Sequence, residues 1–193
     1  MWNCGERIAA FALLVLGLPV LVLVAAIIAV LSRRLPVLTH TRVGQFGESF
    51  EMLKFRTMDY ASGYGRAVEG NHAEDRKPFE DPRVSSGFAR FCRRFSIDEL
   101  PQLLHVVSGR MALVGPRPLT RSELEAHYQD DTGEILMVRP GLTGLWQVMG
   151  RSRLTYRQRR RLDLFLVRNQ SPRLYLHILL WTIPQVFTGK NSW

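Results

Sequence analysis

The sequence predicts an α+β fold, mostly helical, in which a membrane-embedded helix precedes a small domain on the cytosolic side. Three observations predict it. Residues 8–31, IAAFALLVLGLPVLVLVAAIIAVL, carry no charge. Residues 36–58 place short apolar runs among turn-forming residues, the pattern of a hairpin. Beyond residue 82, apolar residues recur at helical spacing in several separate segments. At 193 residues the chain suits one core with a small appendage, divided here as 1–34 for the membrane helix and 35–193 for the domain.

The charge-free segment would be roughly 36 Å long as a straight helix, against a hydrocarbon core of about 30 Å. No small-x-small cleavage site follows it, so it is read as part of the mature chain. Pro19 has no amide to donate and its ring opposes the carbonyl of Val15, which costs about 3 kcal/mol in a regular helix. Gly17 loosens the same turn. Each arm, 8–18 and 20–31, is about 16–18 Å long, close to one leaflet. Arg7 stands before the segment, Arg33 and Arg34 after it. A helix that dips in, bends at Pro19 and returns keeps all three on the cytosolic side. A single-pass span with a tolerated proline accommodates the same residues. Both readings leave residues 33–193 in the cytosol.

Along the rest of the chain, residues 36–58 read as short strands carrying Val37, Val43, Phe46, Phe50, Leu53 and Phe55. Residues 59–82 hold Gly63, Gly65, Gly70, Pro78 and Pro82 among charges, and read as a loop of the kind that can cover a site. Residues 83–109 read as helical, with Phe88, Phe91 and Phe95 at helical spacing. MALVGPRP is a short apolar run closed by a turn, and SELEAHYQ is a helix. VRPGLTGLWQVMGR is a loop with a strand-like core. YRQRRRLDLFLVRN and LYLHILLWTIPQVF are two further amphipathic helices. The last is apolar enough to lie on a bilayer, with Trp181 near the headgroups. No internal repeat or low-complexity tract occurs.

The formal net charge is +9, and 23 of the 26 basic residues are arginine. A guanidinium offers a planar fork that matches phosphate oxygens in pairs, so anionic partners follow: phosphorylated ligands, anionic lipid or nucleic acid. Two cysteines, Cys4 and Cys92, in very different contexts argue against a disulfide framework and fit a reducing compartment. There is no G-x-x-x-x-G-K-[ST] loop, no G-x-G-x-x-G and no C-x-x-C. The five histidines show no zinc-ligand spacing.

One stretch stands apart. Residues 90–121, RFCRRFSIDELPQLLHVVSGRMALVGPRPLTR, hold six arginines and only two acids, the adjacent Asp98 and Glu99. Ser96 and Glu99 match the S-x-x-E capping box, worth about 0.5–2 kcal/mol at a helix start. The chemical alternative makes the pair a nucleophile and a metal ligand, with arginines cradling a phosphate. A cap leaves Arg117 unexplained: prolines on both sides fix the origin of its guanidinium, which suits a phosphate clamp.

KFRTM (54–58), SIDELPQLLHVVSGRMALVGPRPL (96–119), VRPGLTGLWQVMGR (138–151) and LDLFLV (162–167) occur in the order found in the bacterial sugar transferase family. The chain resembles its small monotopic phosphoglycosyl transferases, from the membrane segment nearly to the C-terminus. That resemblance implies transfer of a sugar-1-phosphate from a UDP-sugar to polyprenyl (undecaprenyl) phosphate, the first step of a bacterial glycan. Asp98 would be the nucleophile and form a phosphosugar–aspartate with release of UMP. Glu99 would be its partner, the two carboxylates holding Mg²⁺. Arg56, Arg93, Arg117 and Arg139 would bind phosphates or the uridine end. The resemblance also implies a re-entrant helix bent at Pro19, the cytoplasmic face of the inner membrane, contact with bacterial membrane lipids, and a homodimer as one possible assembly. Asp163 matches a recurrent family aspartate, in either a structural or a chemical role. Leu18 stands where relatives often have serine before the proline, and Met149 where asparagine or serine is frequent. Larger relatives carry extra membrane helices ahead of this region, so the chain is expected to be the minimal catalytic form.

A rival reading is a membrane-anchored basic adaptor gripping lipid or nucleic acid, with Arg157, Arg159, Arg160 and Arg161 as its grip and the acids as a cap. The resemblance argues for the transferase and for no nucleic acid.

Overall fold

The computed structural model of the chain describes residues 3–58, 84 and 86–189. The expected 59–82 loop lies outside the described residues.

Helix α1 (Asn3–Ser32) runs through Pro19 without dividing into two helices. It is long and apolar enough to cross a membrane by length and composition. Its inward stripe is narrow: Glu6, Ala10, Val24 and Ile28 are buried, with Leu14, Leu21 and Ala25 partly so. The opposite face exposes Ile8, Phe11, Leu16, Leu18, Val22, Leu23 and Val30. So broad an apolar surface is stable against lipid rather than water. Both ends of α1 pack on the same body. Ala10 and Leu14 join the cluster of Phe50, Met52, Leu103, Val106 and Met111. Val24 and Ile28 pack with Phe55 and Cys92.

Strands β1 (Val37–Val43) and β2 (Ser49–Phe55) form the expected antiparallel hairpin, in register from Val37–Phe55 to Val43–Ser49. The turn places Phe46 and Gly47 at positive φ. Alternation along β2 buries Phe50 and Met52 and exposes Ser49 and Glu51.

The helical expectation for residues 83–109 resolves into three pieces. Helix α2 (Gly87–Arg94) is capped by Ser86, whose hydroxyl accepts from the amide of Ala89. A 3-10 turn, Ile97–Gln102, carries the acidic pair and Pro101. Helix α3 (Leu103–Val107) follows. The Ser96–Glu99 capping box is not formed. Ser96 adopts φ 57, ψ 22 with no side-chain cap bond, and the Glu99 carboxylate turns to other partners.

Strand β3 (Ala112–Val114) pairs in parallel with β4 (Gly141–Thr143), through Ala112–Gly141 and Val114–Thr143. Between them lie α4 (Arg121–His127), begun by a Thr120–Glu123 capping box, and the single turn α5 (Thr132–Ile135). Helix α6 (Leu145–Met149) takes the segment read as loop. Helices α7 (Tyr156–Arg168) and α8 (Pro172–Thr188) match the two expected C-terminal helices, starting at Thr155 and Ser171 caps. α8 exposes Leu176, Leu180, Trp181, Ile183 and Phe187.

Glycines fix how the β3 and β4 ends meet. A Cβ on Gly115 would come 2.6 Å from the carbonyl oxygen of Arg139, and one on Gly144 would come 2.5 Å from that of Gly115. One on Gly141 would overlap the amide of Gly115. The LVG-PRP and RPG-LTG blocks are therefore two halves of one close backbone approach, and it sets where Arg117 begins.

Candidate active site

The site assembles where β2, the 3-10 turn and the Pro116–Pro118 turn converge. Asp98 is 7% exposed, and among the described residues its carboxylate makes no hydrogen bond or ion pair. Burial, aided by the neighbouring charge of Glu99 and opposed by Lys54, Arg93 and Arg117, pushes its pKa up to about 6.

Glu99 behaves in the opposite way. Its Oε1 accepts from Lys54 Nζ at 2.8 Å and from Arg117 Nη2 at 3.2 Å. Burial acts to raise its pKa, but Lys54 and Arg117 outweigh burial and hold the carboxyl well below the usual range. Both bonds fall on Oε1, so Oε2 stays open to a further partner. Lys54 is itself shifted down, by burial first, with Glu99 resisting. The two adjacent carboxyls are thus pushed apart: Glu99 is held as the anion by its cations, and Asp98 is shifted toward its protonated form by burial.

Of the four arginines expected at phosphates, two are brought to the pair. Arg117 binds Glu99, and the charge of buried Arg93 acts on Asp98. The other two side chains are engaged with α1 and its exit. Arg139 Nη2 donates to Glu6 Oε2 at 2.9 Å, and Glu6 also accepts from Tyr175. Arg56 Nε donates to the carbonyl of Leu35 at 2.8 Å.

Sequence reasoning missed Lys54 and Arg151. Lys54 lies in the KFRTM block, two residues before Arg56. Arg151, whose charge interacts with Glu99 and Arg117, follows Gly150 at the end of α6. Asp163 is fully buried on α7; its Oδ2 accepts from Tyr128 Oη at 2.8 Å, and burial pushes its pKa up to about 7. It stands behind the site, against Trp146, whose ring lies 5.9 Å from the Arg117 guanidinium carbon.

A divalent cation bound here would find its protein donors in Asp98 and Glu99 Oε2. Mg²⁺ takes one or two carboxylates and completes its shell with water and substrate phosphate, so two suffice. No group of three or more His, Cys, Asp or Glu gathers among the described residues.

The site thus sets a buried carboxylate without a hydrogen bond among the described residues beside one held by Lys54 and Arg117, with the charge of Arg93 acting on the first. Residues 3–189 match the family model described as bacterial sugar transferase. The chain belongs to that family. It is 42% identical over 138 residues to the undecaprenyl-phosphate galactose phosphotransferase of Salmonella typhimurium, covering 67% of this chain and 29% of that protein. It is 41% identical over 162 residues to the exopolysaccharide production protein ExoY of Rhizobium meliloti, covering 80% and 71%. It is 39% identical over 198 residues to the UDP-galactose-lipid carrier transferase of Erwinia amylovora, covering 97% and 40%. The chain thus spans well under half the length of the Salmonella and Erwinia proteins.

Proposed function

We propose that this chain moves a sugar-1-phosphate from a UDP-sugar to undecaprenyl phosphate, initiating a bacterial surface glycan such as an exopolysaccharide. The observation that carries the reading is the Asp98 carboxylate, buried and without a hydrogen bond or ion pair among the described residues, beside a Glu99 already neutralised by Lys54 and Arg117. Family membership and the acceptor and donor named for its relatives support it.

Asp98 Oδ attacks the phosphorus that bears the sugar. The bond from that phosphorus to the UMP oxygen breaks, and the electron pair leaves with UMP. An oxygen of the polyprenyl phosphate then attacks the same phosphorus, and the pair of the P–Oδ bond returns to Asp98. Arg117 and Arg93 hold phosphate oxygens near the reacting carboxylate, and Lys54 keeps Glu99 fixed. Mg²⁺ bound to Asp98 and Glu99 Oε2 would supply charge neutralisation between the nucleophile and the diphosphate.

The membrane helix fits the same scheme as a re-entrant element bent near Pro19, on the cytoplasmic face of the inner membrane. Both its ends pack on the domain that carries the dyad, which supports entry and return on one side.

The test is UMP release from a panel of UDP-sugars in the presence of Mg²⁺. Asp98→Asn should abolish release with every sugar while the protein stays in the membrane fraction. Wild-type release in that variant would refute the nucleophile.

A further inference from the structure

Arg159 sits in the YRQRRRL run, where its neighbours divide in the expected way. Arg157 and Arg161 are exposed, and Arg160 pairs with Asp131. Arg159 itself is 6% exposed and has no ion pair or hydrogen bond from its side chain among the described residues. Its guanidinium carbon lies 4.8 Å from the Trp146 ring centroid and 5.1 Å from that of Tyr156. Nε is buried without a partner, whereas the terminal nitrogens are not sealed in that way.

The nearby carboxylates are committed elsewhere. Glu123 accepts from Arg42 and from its own capping box, and Asp163 Oδ2 accepts from Tyr128. Asp163 Oδ1 lacks a hydrogen bond as well, yet no ion pair joins it to Arg159. Arg117 shares the Trp146 ring with Arg159, and its charge repels that of Arg159. Glu99 binds Lys54 and Arg117 directly, whereas the charges of Glu123 and Asp163 act on Arg159 without, among the described residues, any hydrogen bond or ion pair to it. Two aromatic rings hold a buried cation in place and leave its charge to be met by something else.

We infer that Arg159, over Trp146 and beside Arg117, is the cation of a phosphate-monoester subsite that serves both half-reactions. This rests on the transfer reaction proposed above. In the first half-reaction the UMP phosphate gains charge as its bond breaks, so the leaving group needs a cation not already neutralised. In the second, in-line attack on the aspartyl-bound phosphorus comes from the side opposite Asp98, the side UMP has left. The acceptor phosphate therefore enters the place the UMP phosphate vacates. Both ligands are phosphate monoesters.

The full-length protein in lipid nanodiscs is titrated calorimetrically with UMP and with geranyl phosphate, alone and together. Wild type should bind each, and one should exclude the other. Arg159→Met, which keeps length and loses charge, should weaken both by at least about tenfold, the effect of one charge-assisted bond pair. Arg159→Lys, which keeps the charge, should stay within about threefold of wild type. Thermal melts confirm folding of each variant, and the lysine variant decides if the methionine variant does not fold. Unchanged affinities, loss for only one ligand, simultaneous binding, or equal loss in both variants would overturn the subsite. The binding arms require no turnover. If wild type binds both monoesters exclusively but never releases UMP from a UDP-sugar, the proposed function fails and the subsite stands.

Discussion

Asp98 and Glu99 are consecutive residues in one 3-10 turn, yet burial dominates one and two cations dominate the other. As the proposed nucleophile, Asp98 must be ionised to attack, so its raised pKa would place the acid limb of kcat/KM near pH 6 rather than near pH 4 in the metal-free enzyme. A pH–rate profile at limiting Mg²⁺ should rise through that value and flatten above it, and saturating Mg²⁺, which favours the ionised carboxylate, should move the rise to lower pH. Stability runs the other way. Between about pH 4 and 6 the folded chain holds a proton that the unfolded chain has released, so stability is lost as pH rises through that window. Asp98→Asn should therefore be inactive but more stable than wild type above pH 6, by about 1–3 kcal/mol without divalent cation, and no more stable near pH 4. Thermal melts at the two pH values check the sign. Lys54→Met strips one of two cations from Glu99, and UMP release should fall by about 10²-fold or more. The acidic pair and Arg117 were legible in the sequence because their composition and flanking prolines are local. Lys54 was not, because it reaches Glu99 only through the packing of β2 on the 3-10 turn.

Elements carry this geometry through backbone contact. The parallel pairing of β3 with β4 could not be read from strands of three residues, and their glycines become meaningful only once the two blocks are seen to touch. Gly141→Ala should push the Pro116–Pro118 turn away and lower kcat by about 10²-fold through Arg117, with a drop in melting temperature. The capping box was misread for a physical reason. Ser96 adopts a left-handed backbone, and Glu99 gains more from two cations than from one amide. The hairpin and the last two helices were legible, since alternation, spacing and Thr155 and Ser171 caps agree along each segment. Glu6, an acid at the head of an apolar helix, needed a partner, but only the fold supplies Arg139 and Tyr175. Glu6→Ala should destabilise the protein by about 3–5 kcal/mol, because Arg139 would be left without that charge.

At the scale of the whole molecule, α1 and α8 each expose large apolar side chains on a chain rich in arginine. Attachment should survive high salt, since burial of apolar surface in lipid is not screened as surface charge is. With both ends of α1 on the domain, Cys4, which is exposed, should resist an impermeant thiol reagent applied from outside intact inverted-free spheroplasts. Strong labelling would show that the helix crosses. The central claim is a covalent one, and intact-mass spectrometry of wild-type protein mixed with a UDP-sugar and Mg²⁺, without acceptor, tests it most directly. The account predicts a mass increase of one sugar-phosphate, localised to Asp98, absent from Asp98→Asn and discharged by undecaprenyl phosphate. UMP release with no adduct on that side chain would contradict it.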